Sequence, residues 1–172
     1  MMPAQPRVRA VPATPRAVFD CMVFLQGAAR RDSPAGACLV LAERKAVELC
    51  LSREIVREIR DVLTRESVQK RFPALTDDRV DAFLGALNGR ARNVPEVTRT
   101  FGYPRDPKDE PYLNLAISVN ADYLVSRDTD ILDLADPSNP DGQRLRKHAP
   151  QLRIVEPSRF LSEVRALLSH HY

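Results

Sequence analysis

Carboxylates are concentrated in one stretch of the chain, residues 106–130. Asp109 and Glu110 fall where a helix is expected to begin. Asp128 and Asp130 directly follow an apolar run that is expected to be a strand. If the helix start and the strand end meet in one α/β unit, these carboxylates share a small volume. Like charges in contact are unfavourable, so the stretch predicts either a cation site or carboxyl groups that hold protons.

Two further acids can reach the same place. Asp20 ends a short apolar run that begins at Ala17, a pattern typical of a buried strand with the acid at its carboxyl end. Glu58 lies in the helix predicted to begin after Ser52, where it flanks the apolar stripe. A carboxylate in that position can face the edge of the sheet.

The elements that must position these acids alternate between strands and helices. Strands are predicted at residues 17–20, 46–51, 122–126 and 152–155, with a weak edge strand around 93–97; helices are predicted at 34–44 and from residues 52, 76, 107 and 157. Residues 136–150 are predicted to form a polar loop that carries a basic patch. The alternation predicts a three-layer α/β/α fold with a central parallel sheet of about four to five strands. In such sheets ligands bind at the carboxyl ends of the strands, at the topological switch point.

Length and composition favour one ordinary globular domain. The chain has 172 residues, of which 44% are hydrophobic and 28% charged. Residues 1–15 are rich in proline, lack the apolar core of a secretory signal and predict a disordered tail, which leaves a single domain at residues 16–172. The net charge of +3 permits nucleic acid as a partner without arguing for it.

Two compositional features bear on location. No apolar run approaches the roughly 18 residues that a membrane span requires, so no membrane partner is expected. The three cysteines are an odd number without metal-like spacing, and each has apolar neighbours. Buried free thiols in a reducing compartment are therefore expected, which favours the cytoplasm.

The order of the acidic motifs resembles that of PIN-domain ribonucleases, in particular the bacterial toxins of toxin–antitoxin pairs. The resemblance extends over residues 16–168 and is carried by Phe19-Asp20, by residues 51–63 around Glu58, by residues 105–116 around Asp109 and by residues 121–130 around Asp128. Each motif is short and acidic. The specificity of the match comes from the order and spacing of all four.

The resemblance implies a metal-dependent endoribonuclease that cuts single-stranded RNA. The acids that match the family's site are Asp20, Glu58, Asp109 and Asp128, which would hold Mg²⁺ or Mn²⁺, with Asp130 as an additional ligand. Ser126 matches a small hydroxyl residue before the fourth acid and would orient that acid or the substrate, and Arg127 would steer a phosphate. The implied partners are RNA, a cognate antitoxin that covers the acidic cleft, and a second copy of the chain in a homodimer.

One departure from the family pattern leaves an alternative open. The first motif is usually Asp, then Thr or Ser, then Asn, whereas this chain has Asp20-Cys21-Met22. The alternative is a catalytically weak PIN-fold module that binds RNA or a protein partner. A phosphatase or receiver-type protein is a third hypothesis, because Asp128-Thr129-Asp130 resembles a phosphatase nucleophile pair. That pair normally follows the first strand, and here it follows a late one.

Overall fold

A parallel five-stranded sheet forms the centre of the computed structural model, which describes residues 14–169. The strands are β1 (Arg16–Phe19), β2 (Glu48–Ser52), β3 (Arg92–Val94), β4 (Tyr123–Val125) and β5 (Arg153–Val155). They are arranged in the order β3-β2-β1-β4-β5, and every pairing is parallel. The sheet and the helices that connect its strands confirm the predicted α/β fold. Residues 1–13 of the predicted tail lie outside the described residues, and the single-domain assignment stays a prediction.

Helices connect successive strands, and a final helix follows β5. They are α1 (Cys21–Ala29), α2 (Pro34–Glu43), α3 (Arg53–Leu63), α4 (Glu66–Arg71), α5 (Asp77–Arg90), α6 (Glu110–Ser118), α7 (Thr129–Leu132), α8 (Pro140–His148) and α9 (Pro157–Ser169). The side chains of Ser33, Ser52 and Thr76 cap α2, α3 and α5: each accepts a hydrogen bond from a backbone amide in the first turn of its helix. A single helical turn, Pro107–Asp109, leads into α6.

The core covers both faces of the central strands. Every residue of β4 is buried, as are the last three residues of β1. Because alternate residues of a strand face opposite sides, this burial requires packing on both faces of the sheet. On one face, the Phe160 ring of α9 packs edge-on against Phe19 and Tyr123, with ring centroids 5.6 and 5.1 Å away.

The prediction of a polar loop at residues 136–150 is wrong, because residues 140–148 form α8. The Asn139 side chain caps this helix by accepting a hydrogen bond from the Gly142 amide at 2.9 Å. Leu145 is its buried apolar side chain, so the sequence contains no apolar stripe that would predict a helix. The basic patch on α8 is partly structural, since the Arg144 guanidinium lies 4.4 Å from the centroid of the Phe101 ring.

The cysteines agree with a further prediction. Cys21, Cys38 and Cys50 are all free and buried. Within residues 14–169, no helix combines the length and the apolar character that crossing a membrane would require.

Candidate functional site

The strand order places the switch point between β1 and β4. From β1 the chain proceeds to β2 and β3 on one side, and β4 and β5 lie on the other. The carboxyl ends of β1 and β4 are therefore the expected ligand-binding edge. Asp20 directly follows β1, and its backbone amide donates to the Val125 carbonyl at the end of β4. Asp128 lies three residues beyond β4.

Four carboxylates form an acidic cluster at this edge. One oxygen from each lies within 4.8 Å of the others, and the members are Asp106, Asp109, Asp128 and Asp130. The structure thus brings together three of the predicted site residues. Asp106 was not predicted as a site residue, although it precedes Asp109 by three positions, the spacing of one helical turn.

Local turns position these side chains. The Asp106 carboxylate accepts a hydrogen bond from the Lys108 amide at 3.2 Å. The Asp128 carboxylate accepts one from the Asp130 amide at 2.9 Å. Short aspartate side chains commonly bind the backbone two residues ahead in this way. The Asp106 side of the acidic cluster and the Asp128 side are therefore each shaped by a local turn.

Asp109 is the member of the acidic cluster that is most buried. Its side chain is 7% exposed, and its buried Oδ2 has no hydrogen-bond partner among residues 14–169. The pKa of Asp109 is raised to about 7, mainly by burial and additionally by the negative charges of Asp106, Asp128, Asp20 and Asp130, in that order. A buried carboxylate oxygen without a donor is costly. A divalent cation with a preference for oxygen ligands would satisfy it, so the donor set fits Mg²⁺ or Mn²⁺.

Asp20 is linked to the acidic cluster through Ser126. The Ser126 hydroxyl is fully buried, donates to Asp20 Oδ2 and accepts from the Asp128 amide at 2.9 Å. Asp20 Oδ1 accepts from the Val23 amide at 3.1 Å, so the carboxylate also caps α1. Burial raises the pKa of Asp20, and the hydrogen bond from Ser126 partly opposes that rise. The structure therefore places Ser126 where it can orient two predicted site acids at once.

Glu58, a predicted site residue, is not a member of the acidic cluster. Its half-buried carboxylate accepts a hydrogen bond from the Tyr112 hydroxyl at 2.9 Å. Burial, followed by the negative charges of Glu58 and Asp20, raises the pKa of the Cys21 thiol to about 12, so that thiol stays protonated. Burial likewise raises the pKa of Tyr112. Tyr112, which sequence reasoning missed as a site residue, thus holds Glu58 on the α3 side of the site.

Two arginines near the site already have partners. Arg105 binds Asp130 with its Nε at 2.7 Å and Asp133 with its Nη2 at 2.9 Å, which partly neutralises the outer side of the acidic cluster. Arg127, predicted to steer phosphate, is exposed and donates to Gln26 of α1 at 3.1 Å.

A buried amide fixes the segment that leads to Asp109. Asn114 of α6 accepts hydrogen bonds from the Thr100 and Phe101 amides, both at 2.8 Å. Its Nδ2 donates to the Phe101 and Glu110 carbonyls, both at 3.0 Å. Three of these bonds attach the extended segment before residue 104 to the helix that begins at the acidic cluster, and the fourth lies within α6. No sequence pattern marked this role, because the bonding partners are backbone groups.

Comparison with known protein families identifies a match. A family model described as PIN domain matches residues 16–130, which is more than half of the chain and includes every predicted site acid. No curated protein and no solved structure shows significant similarity to the chain.

Proposed function

Because the chain belongs to the PIN domain family, we propose that it is a metal-dependent endoribonuclease that cuts single-stranded RNA at the acidic cluster. The observation that supports this most directly is the buried Asp109 Oδ2, which has no donor in the described residues and lies among three further carboxylates. The family match also weakens the phosphatase and receiver hypothesis, because the acids fall in the order of a nuclease family.

The acidic cluster supplies the ligands for Mg²⁺ or Mn²⁺. The residues that would hold the ion are Asp106, Asp109, Asp128 and Asp130, and Asp20 adjoins them through Ser126. A divalent ion bound there supplies Lewis acidity, which activates water and neutralises charge that develops on a phosphate. Hard oxygen donors of this kind suit both ions.

The chain's own residues prepare the site for that chemistry. With its pKa near 7, Asp109 releases its proton readily when a cation takes the proton's place. Ser126 holds Asp20 and the Asp128 backbone in one arrangement. Tyr112 donates a hydrogen bond to one oxygen of Glu58 and thereby orients that carboxylate. The buried and protonated Cys21 thiol is unsuited to act as a covalent nucleophile.

The biological role that we propose is the toxin of a toxin–antitoxin pair in the cytoplasm. Its support is the resemblance of the four acidic motifs to bacterial toxins, together with free thiols that suit a reducing compartment. The expected partner is an antitoxin segment that covers the acidic cluster, and the expected assembly is a homodimer. Induced expression should arrest growth, and co-expression of the antitoxin should relieve the arrest. Normal growth with active nuclease present would contradict the toxin role alone.

The nuclease is tested with a labelled pool of single-stranded RNA. Wild-type protein is incubated with EDTA, Mg²⁺ or Mn²⁺ and compared with Asp109→Asn, which keeps the shape of the side chain and removes its charge. Asp78→Asn, an exposed acid at the start of α5, is the matched control. We expect metal-dependent cleavage that Asp109→Asn loses and Asp78→Asn retains. Equal cleavage by all three proteins would indicate a contaminant or a different site.

The alternative, a binding module with weak catalysis, is favoured by one observation. Met22, at the position of the usual Asn, is 43% exposed and offers no polar group at the start of α1. On this alternative the wild type binds RNA and leaves it uncut. The double change Cys21→Thr with Met22→Asn would then introduce cleavage. If the wild type cuts with Mn²⁺, the alternative is wrong.

A further inference from the structure

A basic groove lies on the same edge of the sheet as the acidic cluster. It has a volume of about 350 Å³ and is formed by the first turns of α3 and the segment after β3. Its lining residues are Ser52, Arg53, Glu54, Arg57, Pro95 and Val97. The proline and the valine give it an apolar wall, and the two arginines supply its positive charge.

The two arginines are not engaged with the rest of the protein. Arg53 and Arg57 are exposed, and neither has a side-chain hydrogen bond or an ion pair with any residue between 14 and 169. Arg60 of the same helix, by contrast, pairs with Asp81. Like charges four residues apart on a helix repel each other slightly. Arg53 and Arg57 therefore add little to the stability of α3, and their side chains remain available to an anionic ligand.

Strand register sets the separation between the basic groove and Asp20. Because Ala17 pairs with Leu49, extending the register three residues places Asp20 opposite Ser52. Ser52 in turn pairs with Val94 on β3. Neighbouring strands are about 4.8 Å apart, so the groove lies roughly 5–10 Å from Asp20 along the edge of the sheet. This separation is comparable with one or two nucleotides of an extended strand.

Electrostatics require a positive surface near the acidic cluster. The acids repel a polyanionic backbone, and a net charge of +3 provides little general attraction. The arginines of α8 are a weaker candidate, since Arg144 binds Asp141 and stacks on Phe101, while Arg146 binds backbone carbonyls. Arg53 and Arg57 keep their guanidinium groups available for bidentate contact with phosphate.

We propose that the basic groove binds a backbone phosphate of the single-stranded substrate, at a position displaced from the bond that is cut towards the β2 and β3 side of the sheet edge. The RNA strand would then run along the edge of the sheet from β4 and β1 towards β3. The contact is to phosphate and is therefore independent of base sequence. The proposal rests on the proposed nuclease for the position of the cut, but binding in the groove requires no cleavage.

Anisotropy of a fluorescein-labelled oligouridine tests the proposal in EDTA, where no metal-dependent cleavage occurs. The test variant is Arg53→Gln with Arg57→Gln. The control is Arg79→Gln with Arg165→Gln, which removes the same charge from exposed positions on α5 and α9. We expect the test variant to weaken binding about tenfold and to reduce the slope of log K against log salt by about 0.7 per lost phosphate contact. The control variant should match the wild type in both affinity and salt slope.

Three results would overturn the proposal: no binding by the wild type, no change in the test variant, or equal weakening in both double variants. A matching melting temperature for all three proteins shows that the changes leave the fold intact. Failure of the nuclease alone would appear differently, as groove-dependent binding without metal-dependent cleavage. Failure of the groove alone would appear as cleavage by the test variant with an unchanged KM.

Discussion

At the scale of single residues, Asp109 determines how the site responds to pH. Its pKa of about 7 in the folded chain exceeds the ordinary value of 3.8, because burial and neighbouring acids favour the neutral form. A raised pKa means that the folded state binds a proton more tightly than the unfolded state does. The resulting stability is complete below pH 3.8, declines as the pH rises and is lost once the pH passes about 7.

The corresponding prediction concerns Asp109→Asn in EDTA. The amide resembles the protonated acid, so the variant and the wild type should have similar stability near pH 4. As the pH rises to 8 the variant should become the more stable of the two, because only the wild type acquires a buried charge. Thermal unfolding across this range measures the difference. A difference that is independent of pH would show that Asp109 does not titrate in this range.

Ser126 gives a second prediction at this scale. Ser126→Ala removes the hydroxyl that joins Asp20 to the Asp128 amide, leaving both without that partner. We expect a loss of about 1–3 kcal/mol in the free energy of unfolding and weaker Mn²⁺ binding, because the acids lose their shared orientation. Ser162→Ala on the surface of α9 is the control and should change neither quantity. Wild-type Mn²⁺ affinity in Ser126→Ala would contradict the positioning role.

At the scale of elements, Asn114 connects α6 to the segment before it. Asn114→Ala removes four hydrogen bonds to backbone groups, several of them buried. We expect a loss of about 3 kcal/mol or more, measured by urea unfolding, since unpartnered buried groups are costly. Asn88→Ala, at an exposed position of α5, should change stability by less than about 0.5 kcal/mol. Similar losses in both variants would show that the bonds of Asn114 contribute little.

Alanine substitutions at two helical glycines are expected to change the stability of the protein in opposite directions. A Cβ at Gly142 of α8 would lie 2.3 Å from the Leu134 carbonyl oxygen, whereas a Cβ at Gly85 of α5 meets nothing within 4 Å. Gly142→Ala should therefore destabilise the protein by about 1–3 kcal/mol through overpacking. Gly85→Ala should stabilise it by about 0.5–1 kcal/mol through its higher helix propensity. Chemical denaturation measures both, and a stabilising Gly142→Ala would contradict the close packing of α8.

The same elements show what the sequence could predict. N-caps such as Ser52 were predictable, because the bond they make lies within three residues of the cap. Helix α8 was not, since Gly142 packs against Leu134 and Arg144 stacks on Phe101, contacts that no local pattern contains. The candidate site likewise has features that the sequence could predict and features that it could not. Acids that follow strands could be predicted, whereas the bond from Tyr112 to Glu58 depends on how α3 packs against α6.

At the scale of the whole molecule, the acidic cluster links ligand binding to folding. An ion that binds only the folded chain at one hundred times its Kd adds about 2.7 kcal/mol to stability. For a chain of 172 residues we expect saturating Mn²⁺ to raise Tm by about 5–10 °C, and EDTA to reverse the rise. Asp109→Asn should lose most of this effect. An equal rise in that variant would place the ion elsewhere.

The strand order also relates the acidic cluster to protein synthesis. One partner of strand β1 is β2, which ends at residue 52, but its other partner, β4, is made more than a hundred residues after it. Until then the growing chain presents an unpaired strand edge, which invites aggregation. All members of the acidic cluster lie at residues 106–130, so a ribosome-bound fragment that stops before them has no complete cluster. On the proposed function, translation itself delays the appearance of nuclease activity until most of the protein has been made.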